Sequence, residues 1–162
     1  MDAKTLKDLA VVSLEEGSRL GRVEQALFDL AARQVRAVEV HGDAGTFIVP
    51  FEQIESIGSD AITVTSSQVT QTFDAGAAVG TLMGLQELEK LKVVDHEGTF
   101  LGTLSIVEFD PASGVVTQLS VHKGGMLGMG GTTTPLDGSS ILKVGTELLT
   151  VALDGSATHA KQ

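Results

Sequence analysis

The chain has 162 residues, 42% apolar and 20% charged, a balance that belongs to globular rather than disordered proteins. It has no cysteine, which excludes disulfides, thiolate catalysis and thiolate metal sites. The net charge is −10, with six basic against twelve acidic residues in 1–80 and five against nine in 81–162, so neither half offers the positive field that phosphate binding needs.

In chain order, Lys4 to Leu9 reads as a lead-in turn and Ala10 to Leu14 as a first strand. Glu15-Glu16-Gly17-Ser18 is a turn, with Gly17 suited to positive φ. Leu20 to Leu30 is a long strand whose apolar positions change face part-way, which predicts a bulge near Glu24–Ala26. After the turn Ala31–Gln34 comes a strand Val35–His41, the hairpin signal Gly42-Asp43-Ala44-Gly45 and a strand ended by Pro50. Phe51 to Ile57 reads as a short helical turn, and Ala61 to Thr65 as a strand.

Residues 66–86 form a connector, and its small apolar segment is expected to pack on a barrel. Leu85 to Leu91 has a helical flavour. A second set of strands follows: Leu91–Val94, Phe100–Phe109, Val115–Lys123 and Leu148–Leu153. Between the last two lies Gly124-Gly125-Met126-Leu127-Gly128-Met129-Gly130-Gly131, where the first set has a short hairpin.

The second set echoes the first. Gly17 and Gly98, Gly21 and Gly102, Phe28 and Phe109, Asp29 and Asp110, Val40 and Val121, and His41 and His122 each lie 81 residues apart. The chain is one module written twice. The offset grows to 85 at Pro135, which matches Pro50, and to 87 at Gly145, which matches Gly58. Ser139 to Lys143 matches its counterpart poorly. Modules of about 65 residues have marginal cores alone and should lean on one another or on a second chain.

Both copies resemble the PRC-barrel domain, a small β-barrel of the photosynthetic reaction-centre H subunit, of a ribosome-maturation factor and of many stand-alone prokaryotic proteins. The resemblance rests on Gly17/Gly21, Phe28-Asp29, Val35–Val40, Val49-Pro50-Phe51 and Gly58–Ile62 in copy one. In copy two it rests on Gly98/Gly102, Phe109-Asp110, Val115–Val121, Gly124–Gly131, Pro135-Leu136 and Gly145. It implies an all-β fold of two tandem barrels with short helical turns in the connector: module one at 1–70, connector 71–86, module two 87–155 and a polar tail 156–162. It also implies an adaptor or assembly role without catalytic residues.

The residues themselves point the same way. Gly124–Gly131 follows a strand but opens no helix, so it is a poor phosphate cradle. Gly125, Met126, Leu127, Gly128, Met129 and Gly130 instead suit a partner-contact loop, with apolar anchors on a glycine hinge. His41 and His122 occupy equivalent strand ends without a ligand cluster, so no metal is expected. Asp29 and Asp110 precede turns and suit capping better than acid–base work. Arg33 and Arg36, with Arg19 and Arg22, read as a solvated strand face.

There is no Gly-x-Ser-x-Gly elbow, and the reading is of a protein that is not an enzyme and needs no cofactor. Tryptophan and tyrosine are absent and only 6 Phe remain, so single-stranded nucleic acid lacks a stacking platform. The expected partner is a protein, with a homodimer through open strand edges as a further expectation. An RNA- or ribosome-associated factor and a small-ligand or metal binder between the barrels are the alternatives. The start has no signal-peptide h-region and no apolar run spans a bilayer, so the expected location is cytoplasmic.

Overall fold

Short runs of Val, Ile and Leu, punctuated by glycine turns, fold as antiparallel strands in a computed structural model that describes residues 1–72, 82–125 and 130–153. Copy one forms β1 (Ala10–Ser13), β2 (Ser18–Asp29), β3 (Gln34–Gly42) and β4 (Gly45–Pro50). A 3₁₀ turn at Phe51–Gln53 then leads into β5 (Ile54–Ile57) and β6 (Ala61–Val64). The connector gives β7 (Gln71–Thr72), β8 (Met83–Gly84) and a single helical turn at Leu85–Leu88. Copy two forms β9 (Lys92–Asp95), β10 (Phe100–Phe109), β11 (Val116–Gly124), β12 (Gly131–Asp137), β13 (Ile141–Val144) and β14 (Leu148–Val151).

Each copy makes the same sheet. The orders are β5-β6-β1-β2-β3-β4 and β13-β14-β9-β10-β11-β12, with β1 parallel to β6 and β9 parallel to β14. Between the outer strands β4 and β5 the chain turns through the 3₁₀ segment instead of pairing, which leaves a seam. The fold is all-β, two curled sheets in tandem. No helix among the described residues is long and apolar enough to cross a membrane.

Curvature comes from bulges that recur at matched positions. In copy one the unpaired residues are Leu20, Glu24, Arg36 and Glu55. In copy two they are Leu101, Ser105, Thr117 and Leu142. Each extra residue bends its strand and deepens the twist, which is what a six-stranded sheet needs in order to curl around one small core. The change of face read from the sequence near Glu24 is one of these. The first bulge brings β2 over β3 so closely that a Cβ on Gly21 would stand 2.5 Å from the His41 carbonyl oxygen. At Gly102 the distance to the His122 carbonyl oxygen would be 2.2 Å, and φ is +128°.

The register corrects one match made from sequence. Ala37 pairs with Pro50, and its counterpart Gln118 pairs with Asp137, so the structural partner of Pro50 is Asp137 and that of Ile48 is Pro135. The offset is therefore already 87 at Thr132, and all six added residues lie between Lys123 and Thr132. A proline at either position satisfies local rules, and only strand pairing decides between them. The segment around Ser139, doubtful from sequence, repeats copy one: a 3₁₀ turn at Gly138–Ser140 capped by the Asp137 side chain, then β13. Conversely, the helical turn expected over Phe51–Ile57 stops at Gln53, because Ile54–Ile57 pairs with β6. The helix expected over Leu85–Leu91 ends at Leu88.

The small apolar segment of the connector lies mostly outside the described residues, and the residues flanking it pair with barrel one. Gln71 and Thr72 pair with Ile48 and Phe47 on the outer edge of β4. Met83 and Gly84 pair with Phe28 and Leu27 of β2, and Leu85 and Leu88 are buried. In copy two, Pro135 occupies the place of Ile48 on the outer strand and offers no N–H for a further strand.

The modules share one core. Val11, Phe28, Val38 and Ile62 belong to the same buried cluster as Val93, Leu104, Phe109, Leu119 and Leu149. Their backbones join at a pseudo-two-fold. Gln34 bridges antiparallel to its own counterpart Val115. Val35 donates to the Gly114 carbonyl and Val116 to the Arg33 carbonyl, both at 2.8 Å. The Phe51 ring meets Phe109 edge-on, 6.2 Å between centroids. The Met1 amine donates to the Phe109 carbonyl at 2.9 Å, and Phe109 N–H donates back to Met1.

Substituting alanine at Gly102 should destabilise the chain by about 2–3 kcal/mol through backbone overlap and strain, and alanine at Gly21 by about 1–2 kcal/mol. Urea unfolding of both variants checks the order. Arg33→Ala, which removes a guanidinium bonded to the other module, should cost about 1–2 kcal/mol. If the modules unfold together, its urea transition stays single.

Candidate functional site

The β9–β10 turn and the β11–β12 hairpin lie at the same end of barrel two. Asp95, which ends β9, accepts from the N–H groups of Glu97 and Thr99, each at 2.9 Å. The Thr99 N–H and then the Glu97 N–H hold its carboxyl below the usual range. Gly98 takes φ +88° within this turn. The turn delivers Phe100 to the start of β10, where 41% of it is exposed. Lys123, near the end of β11, places its ammonium 5.5 Å from the Phe100 ring centroid. The ladder continues beyond it to the pair Gly124 and Gly131.

Gly125 and Gly130, the latter at φ +64°, flank the hairpin tip. Met126, Leu127, Gly128 and Met129 lie outside the described residues. The expected loop site is therefore built here from its base. That base includes Phe100 and Lys123, which sequence reasoning missed. The signal was available: position for position, Phe100 replaces Arg19 and Lys123 replaces Gly42 in copy one. There the hairpin is the two-residue turn Asp43-Ala44.

The other singled-out residues go elsewhere. His41 contacts the Glu39 carboxylate at 3.2 Å and stands 3.8 Å from that of Glu24. His122 contacts the Thr133 hydroxyl at 3.1 Å, in the other sheet. No group of three or more His, Cys, Asp or Glu able to hold a metal occurs among the described residues. Asp29 accepts from the Ala32 N–H at 3.2 Å and Asp110 from the Ala112 N–H at 2.9 Å, so both cap turns.

The arginine cluster is not one face. Arg22 donates to the Asp8 carbonyl at 3.1 Å, and Arg36 stands 3.8 Å from the Asp29 carboxylate. Arg33 reaches into the second module and donates to the carbonyls of Ser139 at 3.4 Å and Ile141 at 3.0 Å. Its positive φ of 57° aims it there, away from the strand face expected from sequence. Beside it, a cleft of about 580 Å³ opens between the modules, walled by Gln34–Arg36, Phe51, β5 and Pro111–Ser113.

A family model for the PRC-barrel domain matches residues 1–71 and again 80–154. No curated protein matches the chain.

The Asp95 turn makes the placement of Phe100 acid-sensitive. A carboxyl whose folded pKa is lowered stabilises the fold above its unfolded value, about 3.9, and loses that contribution as pH falls through the folded value. Asp95→Asn should be less stable than the parent at neutral pH. The difference should close as pH falls below the unfolded value and the parent's carboxyl becomes protonated in the folded state. Urea midpoints measured at neutral and acid pH check this.

Proposed function

The chain belongs to the PRC-barrel domain family, and from that premise we propose that it is a non-catalytic adaptor that docks a protein partner at the hairpin end of its second barrel. The observation that carries this reading is where the two copies differ in length. Six added residues, an arginine replaced by Phe100 and a glycine replaced by Lys123 all fall at that one end. Between Gly17 and Gly58 the two copies differ in length only at this hairpin.

Their chemistry is that of an interface. An exposed aromatic ring with a cation over it supplies a rigid anchor. Methionines and a leucine between glycines supply adaptable apolar contacts on a loop. Strand addition along β12 is disfavoured because Pro135 removes a donor from that edge, so the partner is expected at the hairpin end. The acidic charge of both halves favours a protein over RNA.

The test is comparative affinity capture from the native host's extract. Phe100→Arg, which restores the copy-one residue type, and deletion of Met126–Met129 should each lower partner recovery about tenfold, the loss typical of a hot spot. Leu14→Ser, at an exposed apolar position in barrel one, should leave recovery unchanged. A set of captured proteins that is the same for all variants would refute the reading.

A further inference from the structure

The pseudo-two-fold makes one asymmetry between the barrels legible. Arg33 and Gly114 are counterparts 81 positions apart, and both take positive φ, 57° and 78°. Arg33 sends its guanidinium to the start of β13, onto the carbonyls of Ser139 and Ile141. The counterparts of those carbonyls in barrel one, 87 positions earlier, belong to Glu52 and Ile54. Gly114 has no side chain to send to them. The corresponding space is the 580 Å³ cleft, with Glu52, Ile54 and Glu55 on one wall and Pro111–Ser113 on the other.

We propose that this cleft is a docking site for an arginine side chain of a partner polypeptide, seated as the missing counterpart of Arg33. The same chain already shows the mode of recognition, a guanidinium held by two main-chain carbonyls at the start of the fifth strand of a module. Barrel one adds two exposed carboxylates, Glu52 and Glu55, and the Phe51 ring, over which a guanidinium gains cation–π attraction. Arg36 is the cation that lines the cleft, and it stands beside Asp29. The net charge of −10 attracts a cationic partner to this surface. Arginine suits the site better than lysine because its planar fork reaches two acceptors at once. The cation must come from outside the barrel pair. A Cβ on Gly114 would stand only 3.0 Å from the Phe51 ring and 3.1 Å from the Val35 carbonyl oxygen.

The probe is an acetylated, amidated heptapeptide with one central arginine among glycine and serine, titrated into the isotopically labelled full chain and followed by NMR. Amide shifts are expected at Glu52, Ile54, Glu55 and Ala112. Replacing the arginine with citrulline, which keeps the shape and removes the charge, should weaken binding about tenfold. The double variant Glu52→Gln/Glu55→Gln, changed at exposed positions, should weaken it by about the same factor. Phe100→Arg should bind the peptide unchanged, so failure here and failure of the hairpin reading are separable. Equal affinity for the citrulline peptide, an unaffected double variant, shifts confined to acidic surface outside the cleft, or no shifts at all would each overturn the proposal.

Discussion

Everything in this molecule depends on a backbone pairing two bonds wide. Val35 and Val116 donate to the carbonyls of Gly114 and Arg33, and Gln34 bridges Val115. A single copy has too few residues to bury a sufficient core. The pairing sets the open ends of two curled sheets against each other, and Phe28, Phe109 and their neighbours then form one buried cluster. Phe51 and Arg33 cross the junction in opposite directions, one with an aromatic ring and one with a guanidinium. The site geometry inherits its rigidity from this junction, because the cleft wall and the second barrel's strands are fixed to the same core.

What the sequence disclosed was whatever is local. Turn glycines, strand-ending aspartates and alternating valines follow short-range rules, and they appear twice at constant spacing. The bulge near Glu24 was legible because it moves apolar residues from one face to the other. What stayed hidden was non-local. Pro50 and Pro135 look equivalent along the chain, and only pairing with Ala37 and Ser120 shows that they are not. Arg33 looked like part of a basic strand face because nothing nearby in sequence predicts that its acceptors are more than a hundred residues away. Phe100 and Lys123 were overlooked for a related reason: the comparison followed what the copies share, and these residues are where they part.

The two copies illustrate how a duplicated scaffold diverges. Bulge positions, the glycine under the first bulge and the parallel closure of the sheet are held in both, since each fixes backbone geometry that no side chain can replace. Side chains at the rims are free to change. At the barrel junction the exchange is reciprocal. Phe51 faces Gly114, while Arg33 bonds the carbonyl of Ser139, next in sequence to Gly138, the counterpart of Phe51. The exchange conserves neither chemistry nor filling, since the Phe51 side keeps the cleft.

The bridge between Gln34 and Val115 joins a position to its own counterpart. A contact of that kind is isologous, the form that two identical subunits make across a two-fold axis. A single-barrel ancestor carrying the same turn would have had, in that contact, all the geometry needed for a homodimer. Fusion of two such barrels preserves the contact and removes its symmetry constraint, since each half is now encoded separately. In a homodimer, an arginine gained at position 33 would have appeared on both sides and a cleft lost on one side would have been lost on the other. Within one chain, one face is sealed while its twin stays open.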